Sequence, residues 1–87
     1  MAIRDSAALV LQYDEPGDVL YASLGAPQPA LTDEVEDDVW LRYCPPQPQV
    51  VGITVLNFRR HFPHEEPAEV IQQVLEKYPV VPWPLEL

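Results

Sequence analysis

The chain has 87 residues, a net charge of −9 and a single cysteine. This length is enough for one domain with a modest core. No apolar run approaches the ~20 residues that a membrane-spanning helix needs, and no secretory signal is visible at the N-terminus. The acidic charge disfavours nucleic acid and anionic membranes as partners and favours a basic protein. Because Cys44 is alone, no internal disulfide is possible, and we expect a cytoplasmic location.

The first half of the chain predicts a β-hairpin that follows a flexible arm at residues 1–7. Apolar residues alternate over residues 8–13 and again over 19–24, which is the period of a strand. Residues 14–18 between them contain Pro16 and Gly17, which favour a turn.

The middle of the chain predicts two further strands and one ambiguous segment. Residues 31–38 carry five carboxylates and fit either a short edge strand or an extended loop. Residues 39–43 alternate, with Val39, Leu41 and Tyr43 inward and Trp40 and Arg42 outward. After a proline-rich loop, residues 50–58 form the most apolar run, typical of a central strand, with Gly52 marking a bulge or a close backbone approach.

The C-terminal part predicts a helix over residues 66–78, which begins at Pro67 and has one apolar stripe. Residues 79–87 contain three prolines and predict an extended tail. The expected fold is therefore α+β and a single domain over residues 1–87. Two hairpins, or a meander, over residues 8–58 would form a four-stranded antiparallel sheet, with the helix packed on one face. The other face would carry Val10, Tyr21 and Trp40, an apolar patch that the tail or a second copy would cover.

Two motifs resemble the YuzE-like family of small bacterial proteins, a domain of unknown function. They are Tyr13-Asp14-Glu15 followed by Asp18-Val19-Leu20-Tyr21, and Val51-Gly52-Ile53-Thr54-Val55-Leu56. The resemblance covers roughly residues 9–58, and the proline-rich loop at residues 44–49 and the C-terminal tail depart from the family pattern. It implies a small sheet-and-helix protein, often encoded near toxin-like proteins, for which an antitoxin role has been suggested.

The first motif also contains the residues of a candidate ligand site. Tyr13, Asp14, Asp18 and Tyr21 would meet at the mouth of the hairpin. An aspartate beside a tyrosine can transfer protons if burial shifts its pKa. The alternative is that the aspartates only shape the turn, and this reading is the one we favour.

The candidate partner-binding residues are acidic or aromatic. They are Asp33, Glu34, Glu36, Asp37, Asp38, Trp40 and Trp83. Tryptophans are frequent interface anchors, and the acidic run suits a basic partner, although a solvated loop and core packing are the alternatives.

The spacing of potential ligands predicts neither a metal site nor a cofactor. The leading functional hypothesis is a non-enzymatic, homodimeric, antitoxin-like protein that masks a basic protein. A small enzyme or ligand-binding domain is the alternative.

Overall fold

A computed structural model of the chain describes residues 9–25 and 29–83. The predicted arm at residues 1–7 and the end of the tail, residues 84–87, lie outside this part. The described chain forms an α+β fold with one antiparallel sheet, whose strands lie in the order β1-β2-β5-β4-β3. The strands are β1 (Leu9–Asp14), β2 (Val19–Leu24), β3 (Leu31–Glu36), β4 (Val39–Tyr43) and β5 (Val50–Leu56).

In the described residues the sheet has five strands, one more than the four predicted from the sequence. The additional strand is the acidic segment, which pairs along β4 as an edge strand. The register of this pair shifts between Glu34 and Glu36, so that β3 contains a bulge. Because its carboxylates interrupt the apolar alternation, the sequence pattern alone does not distinguish this strand from a loop.

Strand β5 lies at the centre of the sheet, between β2 and β4, as its β-branched composition predicts. The predicted irregularity at Gly52 is confirmed, because the register with β4 shifts between the Arg42–Gly52 and Tyr43–Val50 pairs. A Cβ on Gly52 would lie 3.1 Å from the carbonyl oxygen of Ala22 and 3.2 Å from Cδ of Arg42. Glycine therefore lets the Arg42 side chain pass close to the sheet.

In the described part of the chain, two helices follow β5. The short helix α1 (Phe58–His61) was not predicted, whereas α2 (Pro67–Lys77) falls within the predicted 66–78. Val70 and Ile71 of α2 are buried against the sheet. The buried side chains form one cluster on this side, here called the helix face. They are Leu20, Ala22, Val39, Leu41, Tyr43, Val50, Ile53, Val55, Phe58, Val70, Ile71 and Val81.

The described part of the tail, residues 79–83, also docks on the helix face. The amide of Val81 donates to the carbonyl of Pro48 at 2.9 Å, and Val80 forms an isolated bridge with Gln49. Trp83 packs edge-on against Tyr43, with their ring centroids 5.9 Å apart. Residues 79–83 form an isolated bridge but no regular strand, and as far as Trp83 they do not cover the opposite face of the sheet.

Candidate binding face

The structure brings together two of the four residues predicted as a ligand site. The Tyr13 hydroxyl donates to Oδ1 of Asp18 at 2.6 Å, and the amide of Arg59 donates to the same oxygen at 2.9 Å. The backbone carbonyl of Asp18 also accepts the amide of Phe58 at 2.9 Å. Asp18 therefore connects the β1–β2 turn to the start of α1.

These hydrogen bonds shift the pKa values of Asp18 and Tyr13 further from neutral pH, which makes both groups less suited to proton transfer there. The hydrogen bond from Tyr13, followed by that from the Arg59 amide, holds the pKa of Asp18 below its usual value. The same carboxylate raises the pKa of Tyr13 through the shared hydrogen bond. A general acid or base works best with a pKa near the working pH. The pair is thus better suited to holding the turn than to catalysis.

Asp14 and Tyr21 lie apart from this pair. The carboxylate of Asp14 folds over the turn, where a Cβ on Gly17 would lie 2.5 Å from its Oδ2. Tyr21 is paired with Gln12 and Thr54 on the sheet side opposite the buried Leu20. The four residues consequently do not converge on a single pocket.

A second aspartate, Asp38, plays the same structural role at the β3–β4 turn. Its carbonyl accepts the amide of Leu56 at 2.8 Å. Its Oδ2 accepts a hydrogen bond from Nδ2 of Asn57 at 3.1 Å and contacts Nε2 of His61 at 2.8 Å. The contact with His61 first, and that with Asn57 second, keep the pKa of the Asp38 carboxyl low.

We refer to Asp18 and Asp38, with the 56–61 segment that they hold, as the turn clamp. Both aspartates have a positive φ, 56° and 64°, in the left-handed region that Asp and Asn tolerate better than most residues. Strands β2 and β4 flank β5 and run antiparallel to it, so their first residues lie beside its last ones. The turn clamp therefore fixes the point at which the chain leaves the sheet for α1.

Most carboxylates of the acidic run are engaged within the protein. Asp33 accepts a hydrogen bond from the Tyr43 hydroxyl, and Glu34 accepts the amide of Asp38 at 2.9 Å. Glu36 forms an ion pair with Lys77 and accepts the Tyr78 hydroxyl at 2.7 Å.

The ion pair with Lys77, followed by the hydrogen bond from Tyr78, keeps the pKa of Glu36 low. Asp37, at the tip of the turn, is exposed. The run thus serves mainly to hold β3 to its neighbours and to α2.

The two tryptophans lie on opposite faces. Trp83 is half-buried on the helix face against Tyr43. Trp40 is paired with Glu34 and Thr54 on the other face. Its indole Nε1 is buried and has no hydrogen-bond partner among residues 9–25 and 29–83, which is rare for a buried polar atom.

The face that carries Trp40 is the best candidate for a functional surface, and we call it the open face. Within residues 9–25 and 29–83, the helical residues Phe58, Val70 and Ile71 and the tail residue Val81 belong to the core cluster on the helix face and not to this face. Val10 and Tyr21 are 49% and 44% exposed. The residues that alternate onto this face are Val10, Gln12, Asp14, Val19, Tyr21, Ser23, Thr32, Glu34, Trp40, Arg42, Gly52, Thr54 and Leu56.

A shallow depression of about 380 Å³ crosses the open face. Its lining combines hydroxyl, amide and guanidinium groups with the ring of Tyr21. The lining residues are Gln12, Tyr21, Ala22, Ser23, Thr32, Arg42 and Thr54. The alternation in the sequence already places Gln12, Ser23 and Arg42 on the same side as Val10, Tyr21 and Trp40. Sequence reasoning assigned no face to Thr32 and Thr54.

The remaining features to consider in the described residues are metal binding, the single cysteine and membrane insertion. Residues 9–25 and 29–83 contain no group of three or more His, Cys, Asp or Glu side chains arranged to hold a metal ion. The Cys44 thiol donates to the carbonyl of Pro29 at 3.0 Å. No helix in the described part of the chain is long and apolar enough to cross a bilayer.

Comparisons with known proteins do not add to this picture. Neither the family models, the curated proteins nor the solved structures that were searched contain a match for this chain. Its function must therefore be inferred from the geometry of the turn clamp and the open face.

Proposed function

We propose that this protein is a non-enzymatic binding protein that docks a basic protein on its open face. The observation that carries the proposal is that residues 9–25 and 29–83 leave this face uncovered, with Val10, Tyr21 and Trp40 on one side of the sheet. Exposed apolar surface of this kind usually marks an interaction site. The helix face, in contrast, is filled by α2 and by residues 79–83.

The charge of the chain indicates the kind of partner. The sequence has 14 acidic residues and five Lys or Arg residues. A net charge of −9 accelerates encounter with a cationic surface and slows encounter with an acidic one. Aromatic residues such as Tyr21 and Trp40 would then provide most of the contact energy.

An antitoxin-like role in the cytoplasm is consistent with these properties. The resemblance of the two strand motifs to the YuzE-like family suggests such a role. In this role the open face would cover the active surface of a basic toxin, and no catalytic group would be required. The engaged state of Asp18 and Asp38 supports a binding role over a catalytic one.

Site-specific photo-crosslinking in the native host would test the proposal. A photoreactive phenylalanine analogue placed at Tyr21 should capture a partner with a basic isoelectric point. The same analogue at Gln72, exposed on the outer side of α2, is the control and should not capture it.

The captured protein would next be purified and titrated calorimetrically. Tyr21→Ala should weaken its binding at least ~30-fold, the effect of losing a hot-spot residue, whereas Gln72→Ala should change affinity less than ~2-fold. Binding should weaken as salt is raised. An acidic partner, or equal capture at both positions, would refute the proposal.

The depression on the open face supports a second candidate, a small polar ligand. Its volume of about 380 Å³ lies in the range of ligand pockets, roughly 300–1,000 Å³. Of the four residues predicted as a ligand site, only Tyr21 lines it. A thermal-shift screen of small metabolites, in which a stabilising compound loses its effect in Ser23→Ala, would favour this candidate over protein binding.

A further inference from the structure

The two edges of the sheet differ strongly in charge. Strand β3 forms one edge and carries Asp33, Glu34 and Glu36, together with a bulge. Charges and bulges on an edge strand are the usual protection against pairing with another chain. This edge is therefore protected.

Strand β1 forms the other edge and has neither protection. Its register with β2 runs without a shift from Leu9–Leu24 to Asp14–Val19. Its five residues 9–13 are uncharged, and the only charged residue is Asp14 at its end. No strand in residues 9–25 and 29–83 pairs with its outer side. Such an edge is a template for an added strand.

We propose that β1 pairs antiparallel with β1 of a second copy, so that two sheets join into one of ten strands. Two identical strands can pair side by side in this way only about a two-fold axis perpendicular to the sheet. That symmetry keeps the helix faces of both copies on the same side of the joined sheet. Two residues that lie directly opposite each other across the new strand pair must then point their side chains to the same side of the sheet. We call the register that pairs the uncharged residues 9–13 with one another the uncharged register. In it, Leu11 lies opposite Leu11 of the second copy, Leu9 lies opposite Tyr13, and Val10 lies opposite Gln12.

The side chains of β1 suit this register. Leu9 and Tyr13, 36% and 41% exposed, would cover each other on the helix face. An aliphatic residue opposite an aromatic one is a favourable cross-strand pair. Val10, 49% exposed, would lose solvent contact next to Gln12 on the open face.

The same symmetry disfavours β3 as the dimer edge. A two-fold pairing about the middle of β3 would place either Asp33 opposite Asp33 or Glu34 opposite Glu34. Like charges that face each other directly destabilise a strand pair. A second copy is therefore expected at β1 rather than at β3, and the joined sheet would also double the width of the open face.

Disulfide trapping tests both the pairing and its register. Val10→Cys and Gln12→Cys are made separately in a Cys44→Ser background and then mixed under mild oxidation. Opposing Cα atoms in an antiparallel pair are about 4.5–5.5 Å apart, within the ~4.4–6.8 Å that a disulfide spans. The mixture should form mixed dimers rapidly, and each variant alone should form few.

Thr32→Cys, on the protected edge, is the control and should not cross-link. Equal cross-linking of Thr32→Cys, or no excess of mixed dimers over each variant alone, would overturn the proposal. Sedimentation equilibrium of the wild-type chain supplies an independent measurement, and a monomer at high micromolar concentration would also overturn it.

A matched pair of charge variants adds a quantitative test. Val10→Glu and Thr32→Glu add the same charge on the same face, at opposite edges. Val10→Glu should raise the dimer dissociation constant at least about tenfold, because a charged edge resists pairing, and Thr32→Glu should change it less than about twofold. Equal effects would refute pairing through β1.

Salt separates this dimer from the partner complex proposed above. Two chains of charge −9 repel each other. Raising salt from about 0.1 M to about 1 M shortens the Debye length from about 10 Å to about 3 Å. The dimer should therefore tighten with salt, while binding of a basic partner should weaken. A dimer that weakens with salt would contradict the uncharged register, whether or not a partner is found.

Discussion

Phe58→Leu should reduce stability while leaving partner binding intact, because Phe58 lies on the helix face. Its side chain is fully buried at the start of α1. The ring centroid lies 6.0 Å from that of Tyr13 and 5.7 Å from that of Phe62. Leucine keeps the position apolar but removes both ring contacts.

The size of the loss follows from these two contacts. Each aromatic pair contributes about 0.5–1.5 kcal/mol beyond the burial of its surface, so we expect Phe58→Leu to cost about 2 kcal/mol. A chain of 87 residues has a free energy of unfolding of roughly 4–13 kcal/mol, at ~0.05–0.15 kcal/mol per residue. The loss corresponds to a fall in Tm of about 8–16 °C, at ~4–8 °C per kcal/mol.

Urea denaturation and calorimetric titration with the partner measure the two effects separately. For Phe58→Leu, the free energy of unfolding should fall and the affinity should stay within about twofold of wild type. Tyr21→Ala is the matched variant on the other side of the sheet. It should change stability by less than ~0.5 kcal/mol and weaken binding at least ~30-fold.

Two outcomes would refute this division of the sheet into a stabilising and a binding side. One is a loss of partner affinity in Phe58→Leu as large as in Tyr21→Ala, measured where both variants are folded. The other is an unchanged free energy of unfolding in Phe58→Leu, which would show that the ring contacts of the core contribute nothing.

Three further predictions concern titration and packing. Because Asp18 and Asp38 have lowered pKa values in the folded protein, their contribution to stability is present above the ordinary pKa of about 3.9 and is lost as pH falls through the lowered values. Urea midpoints measured in acid should thus fall less steeply in Asp18→Asn/Asp38→Asn than in wild type, and equal slopes would contradict this. Glu36→Gln should lower the pKa of Tyr78, which the hydrogen bond to Glu36 raises, and ultraviolet titration of tyrosinate in alkali would show it. Trp40→Phe should change the free energy of unfolding by less than ~1 kcal/mol, because the lost ring surface is offset by removal of an unsatisfied buried donor, worth about 1–3 kcal/mol; a loss above ~2 kcal/mol in urea denaturation would show that the indole N–H is bonded.

The parts of the fold that the sequence predicts are those governed by local periodicity. The alternation of Val39, Leu41 and Tyr43 with Trp40 and Arg42 places the first three in the core, as the structure confirms. The third strand was ambiguous because its carboxylates are satisfied by distant groups. Asp33 is bonded to Tyr43 in the neighbouring strand, ten residues away, and Glu36 to Tyr78, 42 residues away. Both bonds depend on the tertiary fold and not on the periodicity of β3 itself.

The candidate site was predictable only in part, for the same reason. Alternation places Tyr21 on the face opposite Leu20, but it does not reveal whether the tail covers that face. The answer depends on where the tail docks, through the bridge between Gln49 and Val80 and the contact of Trp83 with Tyr43. These contacts join segments that are about 30 to 40 residues apart, which strand and helix patterns do not encode.

The turn clamp explains why a conspicuous motif can lack catalytic chemistry. A glycine at position 18 would reach the left-handed backbone conformation more easily than aspartate, but it would offer no side-chain acceptor to Tyr13 and Arg59. Aspartate meets both requirements, and its place at the end of the turn sets the register of β2. With that register fixed, Leu20 points into the core and Tyr21 onto the open face. The motif therefore contributes to binding indirectly. Tyr13 and Asp18 hold β2 in place, and β2 presents Tyr21, the last residue of the motif, on the open face.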